Sequence, residues 1–213
     1  MMKLYSFWRS SAAYRVRIAL NLKGIAHELV STQLSKGAHR STSYLAANPQ
    51  GLIPALEHQG HIFTQSLAII EYLDSVVATP RLLPADAVAR ARVAAMAQAV
   101  ACDIHPLNNL RVMNYLRQEL GQDDAAVQAW YAHWIEEGFR ALETWAGQYS
   151  TAGCFLHGDT ISLADVCLVP QVYNARRFKV SLDAFPRLVA IDAHVRGLPA
   201  VHAASPECQP DAE

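Results

Sequence analysis

A charge of one sign is missing from this chain. Its 18 Lys and Arg against 19 Asp and Glu leave a formal net charge of −1 over 213 residues, so no basic face is available for nucleic acid or an anionic membrane surface. No apolar stretch approaches the roughly 20 residues of a membrane span. The opening Met1-Met2-Lys3-Leu4-Tyr5 lacks an apolar export segment with a cleavage site, and a cytoplasmic protein is expected. Cysteine is scarce: Cys102, Cys154, Cys167 and Cys208 include no CxxC pair, and none falls in the first hundred residues. That argues against a disulfide framework or a zinc site. His58 and His61 lack a third ligand, so no metal is expected. What is abundant is apolar: 52% hydrophobic with only 17% charged, in alanine-rich stretches such as Ala94-Ala95-Met96-Ala97 that read as packed helix.

The first 82 residues alternate between the strand and helix periods. Lys3 to Phe7 reads as a strand, Tyr14 to Lys23 as an amphipathic helix closed by Gly24, and His27 to Ser31 as a second strand. Ser41 to Ala47 suits a short helix, Pro54 to Glu57 and His61 to Phe63 flank a turn at Gly60, and Ser66 suits the cap of a helix through Asp74. The succession β-α-β-α-β-β-α predicts a thioredoxin-like α/β domain over 1–82. After the proline-bounded linker Thr79 to Pro84 nothing alternates with period two, so 88–213 reads as an all-helical domain. Its segments are Ala87 to Leu120 interrupted at Pro106, Asp124 to Tyr149, a helix capped by Thr160 or Ser162 running to Arg176, and one following Pro186. Ser205 to Glu213 reads as a tail.

Thioredoxin-like domains commonly place sulfur at the start of the first helix, and this one has no cysteine there. It offers Arg9-Ser10-Ser11-Ala12 instead, hydroxyls at a helix N-terminus suited either to capping or to holding an external thiolate. Ile53-Pro54 is either a strand-starting proline or a cis peptide that turns the Ile53 backbone toward a ligand's amide. Gln65-Ser66 is either a plain cap or a carboxylate site. In their ligand-binding reading the three features describe a groove for a thiol, a peptide and a carboxylate, the shape of glutathione. Asn108 and Asn109 beside the helix-breaking His105-Pro106 suit a polar pocket wall or a solvent-facing kink. Arg176 and Arg177 fit either a helix end or, for Arg177, a ligand. Arg9 can fork onto a carboxylate.

The segment Ser10-Ser11-Ala12-Ala13-Tyr14-Arg15-Val16-Arg17-Ile18-Ala19-Leu20 resembles the SSCxxRVRIAL motif of zeta-class glutathione transferases, the maleylacetoacetate isomerases and their maleylpyruvate isomerase relatives. Gln65 to Leu73, Asp103 to Asn109, Leu163-Ala164-Asp165, Val169-Pro170-Gln171-Val172 and Arg177-Phe178-Lys179-Val180 extend the resemblance over nearly the whole chain. It implies a homodimeric, glutathione-dependent cis-trans isomerase of maleylacetoacetate, acting by reversible thiolate addition. Maleylpyruvate isomerisation and glutathione transfer to small α-halo acids are alternatives within the family, and a non-catalytic binding module is the alternative outside it.

Carried over by position, the resemblance puts thiolate activation on Ser10 with Ser11 beside it, and glutathione contacts on His39, Ile53, Gln65, Ser66, His105, Asn109 and Arg111. Substrate binding falls on Arg177 by the resemblance, and on Arg9 and Asn108 by their residue chemistry. Ala12 replaces the motif's cysteine, and His39 and His105 stand where some members have glutamine. Leu110 matches the maleylacetoacetate isomerases, whereas some maleylpyruvate isomerases have arginine there.

Overall fold

Inward Met2, Leu4 and Ser6 alternate with half-exposed Lys3 and Tyr5, and this pattern makes Met2–Ser6 the first strand, β1. The computed structural model describes residues 1–212, all with side chains except Ser35. After β1 come α1 (Ser11–Leu22), β2 (His27–Ser31), α2 (Thr42–Ala47), β3 (Ala55–His58), β4 (His61–Thr64) and α3 (Ser66–Val76), the order expected from the sequence. The four strands form one mixed sheet in the order β2-β1-β3-β4. β1 and β2 are parallel, as their α1 crossover requires, and the β1–β3 and β3–β4 pairs are antiparallel. At the end of this segment the fully buried Lys23 ammonium donates to Asp74 at 2.8 Å and to the carbonyls of Val77 and Pro80. Asp74 also accepts from Leu82 N, so the proline-bounded linker is held against α1 and α3.

The rest is helical: α4 (Ala87–Gln98), α5 (Leu110–Gln118), α6 (Asp124–Tyr149), α7 (Leu163–Arg177), α8 (Pro186–Arg196) and α9 (Pro199–Ala203). The stretch from Ala87 does not run as one helix to Pro106. It widens at Ala99–Ile104 into a π-helical turn, closed by His105 N donating to Val100 O, and resumes only at Leu110. α7 is buried along most of its length. It begins at Ser162, whose N–H and hydroxyl both donate to Asp165 at 2.8 Å, and Asp165 also accepts from Leu156 N. Burial pushes the Asp165 carboxyl up to about 6, against the opposing pull of these hydrogen bonds.

The chain divides into two compact units, Met1–Leu82 together with the residues from Gly197 onward, and Leu83–Arg196. The C-terminal segment therefore belongs with the first unit, not with the helical domain of 88–213. The cause is a set of long-range hydrogen bonds: Arg17 Nε donates to Ala204 O at 3.0 Å and Asn21 Nδ2 to Ala200 O at 3.1 Å. The expected tail is also packed. Pro206–Cys208 forms a 3-10 turn, Gln209 donates to the carbonyls of Ala203 and Ser205, and Asp211 accepts from Ser31. Glu213 lies outside the described residues.

Within the second unit, Gly138 of α6 faces Ile104 of the π-turn. A Cβ at this position would overlap Ile104 Cδ1 and Cγ1, and Ile104 is 1% exposed, so the glycine is required by the close approach. Gly138→Ala gains about 1 kcal/mol of helix propensity but overpacks a β-branched neighbour, a change that costs about 1–3 kcal/mol. Urea unfolding should show the variant less stable than the wild type, and equal or greater stability would contradict this packing.

Candidate functional site

The site residues of the first unit gather at helix starts and at the loops before them. Ser10 is the N-cap of α1, in extended conformation, and its Oγ accepts from Ala13 N at 3.2 Å. Ser11 is the first helical residue and is 6% exposed. Of the two hydroxyls, then, Ser10 makes the cap. A hydroxyl that accepts from a backbone N–H still carries its own proton. Ser10 can therefore cap the helix and donate to an anion at its positive end at once, and the two readings of this residue are compatible. Just before it, the Arg9 guanidinium lies 4.4 Å over the Trp8 ring, which sets the plane of its fork.

The second group lies around β3. The Ile53-Pro54 peptide is cis, and the sheet register of β3 begins only at Ala55, so the Ile53 backbone stands outside the ladder. The loop before it is fixed by Tyr44 OH and Asn48 Nδ2, both donating to Leu52 O at 2.6 Å. Gly51 has φ 60°, and a Cβ there would come within 2.9 Å of Arg40 Nη1 and 3.1 Å of His39 O. Only glycine lets this loop lie against the turn Ala38–Arg40. The buried Nδ1 of His39 has no partner among the described residues. Burial, and after it Arg40, holds the His39 imidazole below its ordinary value, hence neutral near pH 7.

The third group is the start of α3, where the sequence reading needs correction. Ser66 does not cap the helix. Gln65 is the N-cap, without a side-chain cap bond, in a left-handed conformation with φ 67°, a backbone state that costs a non-glycine residue about 1–3 kcal/mol. Its side chain turns away from the helix and donates to Gln50 Oε1 at 2.8 Å. Ser66, 6% exposed, is the first helical residue, and its Oγ accepts from Arg15 Nη1 at 3.2 Å.

The second unit carries the remaining residues. Half-buried His105 closes the π-turn. Asn108, 9% exposed, donates from Nδ2 to Tyr131 O at 3.2 Å, and its Oδ1 has no partner among the described residues. Its burial rules out a solvent-facing kink. Asn109 caps α5 by accepting from Arg111 N at 3.1 Å, and Arg111 is exposed. Arg176 is engaged with fully buried Asp192 at 2.6 Å, a structural pairing. Exposed Arg177 instead lies 4.9 Å over the ring of Phe178, which stacks on Tyr131 at 3.9 Å. Tyr131 thus links Asn108 to Arg177, a role that sequence reasoning missed. In its helix it reads as one more core aromatic, and nothing local points to its partner 47 positions away.

The family models for the glutathione S-transferase N-terminal domain and C-terminal domain match residues 1–75 and 128–200. The chain belongs to the glutathione S-transferase family. It is 50% identical over 204 residues to the maleylacetoacetate isomerase of Rhizobium meliloti, with 96% of this chain and 95% of that one covered. It shares 48% identity and a TM-score of 0.96 with the holo structure of a bacterial maleylpyruvate isomerase of the zeta class, covering 99% and 100% of the two chains. A maleylacetoacetate isomerase from Methylobacterium extorquens AM1, solved with bound malonate and glutathione, matches at 41% identity and a TM-score of 0.92, with 99% of each chain covered.

The donor set of the first unit fits glutathione. A thiolate would meet the α1 N-terminus with the Ser10 proton, a peptide group would meet the Ile53 backbone outside the ladder, and a carboxylate would meet the α3 N-terminus with the Ser66 hydroxyl. The partnerless His39 Nδ1 would offer one more polar group to a peptide-like ligand.

Proposed function

We propose that this protein is a glutathione-dependent cis-trans isomerase that converts maleylacetoacetate to fumarylacetoacetate by reversible thiolate addition. The observation that carries the reading is the α1 N-terminus, where Ser10 caps the helix with its oxygen and keeps a proton to donate. When bound, glutathione supplies the thiolate that adds to the cis double bond and leaves after rotation.

The chain's own residues do the rest. Ser10 and the helix end stabilise sulfur in its anionic form at neutral pH, with buried Ser11 beside it. Ile53, Gln65, Ser66 and His39 hold the peptide in the first unit. Arg177 takes a substrate carboxylate through its fork while Phe178 supports the guanidinium face. Arg9 on Trp8 is built the same way. Asn108, held by Tyr131, presents a fixed amide oxygen.

Maleylpyruvate is the second substrate reading, since one of the similar structures is a maleylpyruvate isomerase. Leu110, 55% exposed and uncharged, favours maleylacetoacetate. We further infer a cytoplasmic homodimer that binds neither nucleic acid nor membrane. No helix among the described residues is long and apolar enough to cross a membrane.

Isomerisation should require added glutathione and leave its concentration unchanged. Turnover without thiol, or stoichiometric loss of glutathione, would refute the cycle. Arg177→Ala removes a charged hydrogen bond worth about 1.5–3 kcal/mol, so kcat/KM should fall by roughly one to two orders of magnitude with glutathione affinity retained. An unchanged kcat/KM would remove Arg177 from the substrate site. Ser10→Ala deletes the donated bond but leaves the helix dipole. The bound thiol, ordinarily titrating at about 8.5 when free, should then titrate higher than in the wild-type complex, and the rate at neutral pH should fall with the thiolate fraction. Thiolate ultraviolet absorbance against pH measures this, with Ser11→Ala expected to shift it less. No shift in either variant would exclude serine activation.

A further inference from the structure

Arg15 lies on α1 one helical turn beyond Ser11 and is 1% exposed. Its Nη1 donates to Ser66 Oγ at 3.2 Å, a contact that spans 51 positions of sequence. Arginine has donors only, so at this bond the serine oxygen must accept, and the serine's own proton is left to point elsewhere. Ser66 is the first residue of α3, where the preceding left-handed Gln65 turns the chain sharply into the helix. A hydroxyl with a directed proton, a helix N-terminus and a buried cation behind both therefore coincide at one place. Each favours an anionic acceptor, and the cation acts through a poorly solvated interior where its field is weakly screened.

We propose that Arg15 is the positioning residue of the carboxylate subsite: it fixes the Ser66 hydroxyl as a donor and places the first unit's anion-binding charge behind it. Arg15 does not itself touch the ligand. This assignment rests on the reading of the first unit as a glutathione site.

The test is a double-mutant cycle in the full chain with Ser66→Ala, Arg15→Met and the double variant, reading the dissociation constant of glutathione, KM for glutathione, and kcat at saturating glutathione. Loss of a charge-supported hydrogen bond corresponds to a roughly tenfold to hundredfold weakening, expected for each single variant. The double variant should be no more than about twofold worse than the worse single, because both changes remove one device. The pH titration of the bound thiol in the Arg15 variants should stay near wild type, a separation that a general loss of structure would not produce. Should Arg15→Met fail to fold, Arg15→Lys, which keeps the charge and loses the fork, enters the same cycle with the same non-additivity expected. If Ser66→Ala weakens glutathione binding while the arginine variants bind normally, or if the losses multiply, Arg15 does not act through Ser66 and the proposal is overturned. If Ser66→Ala itself binds glutathione as the wild type does, the carboxylate assignment fails and the role of Arg15 falls with it, whereas a wild-type protein that does not bind glutathione refutes the glutathione-site reading as a whole.

Discussion

One guanidinium organises the first unit. Arg17, 1% exposed, donates from Nε to Ala204 O at 3.0 Å, from Nη1 to Ser6 Oγ at 3.1 Å and Phe7 O at 3.3 Å, and from Nη2 to Trp8 O at 2.9 Å. Burial lowers its pKa to about 10, so the group remains charged at neutral pH with three carbonyl dipoles around it. Removing a buried charge from water is costly unless every donor is met, and that requirement makes the cluster rigid. The loop Phe7-Trp8-Arg9 is fixed by its carbonyls, Ser10 follows at the cap, and the C-terminal segment is drawn onto α1 by the remaining donor. The thiol end of the site and the return of the chain to the first unit thus depend on the same side chain.

Arg15 and Arg17 are two residues apart on a helix and so project to different sides of it. One reaches α3 and the other reaches the loop after β1. A run such as Arg15-Val16-Arg17 in an amphipathic pattern ordinarily marks a solvated face, and composition alone gives no reason to bury both. Their burial follows from what they meet, a hydroxyl on one side and carbonyls on the other, which is tertiary information. The motif resemblance marked these residues as unusual without saying what they do.

The fold was legible where periodicity and turn chemistry act locally. The alternation of β1, the Ser41 cap of α2 and the limits of α6 at Asp124 and Tyr149 could all be read along the chain. The π-turn at Ala99–Ile104 could not, and its packing of Ile104 against Gly138 joins it to another helix. The helical character of Pro199–Ala203 was within reach of the residues, but its attachment to α1 was not, since a short helix carries no label for its partner. At the candidate site, the Ser10 cap and the cis Ile53-Pro54 peptide could be expected from residue type and place. The left-handed Gln65, the Arg15 support of Ser66 and the Tyr131 link between Asn108 and Phe178 arise from contacts between distant segments.

The absence of cysteine at position 12 bears on how the α1 terminus works. A cysteine at a helix start has its thiol pKa lowered by the helix end and, where an oxidant or an existing disulfide is at hand, can be joined to a thiol held nearby. Serine cannot form that bond, yet its oxygen accepts the cap N–H while its hydrogen remains available to an external sulfur anion. Among the described residues the first unit holds one cysteine, exposed Cys208, whose Sγ lies 4.0 Å from His202 Nδ1 in the C-terminal turn, so no dithiol pair exists there. No disulfide can therefore form between Ser10, Ser11 or Ala12 and a thiol held at the α1 start. That restriction on sulfur chemistry, set by Ser10 and Ala12 together, suits a thiol that must leave the site unchanged after each turnover.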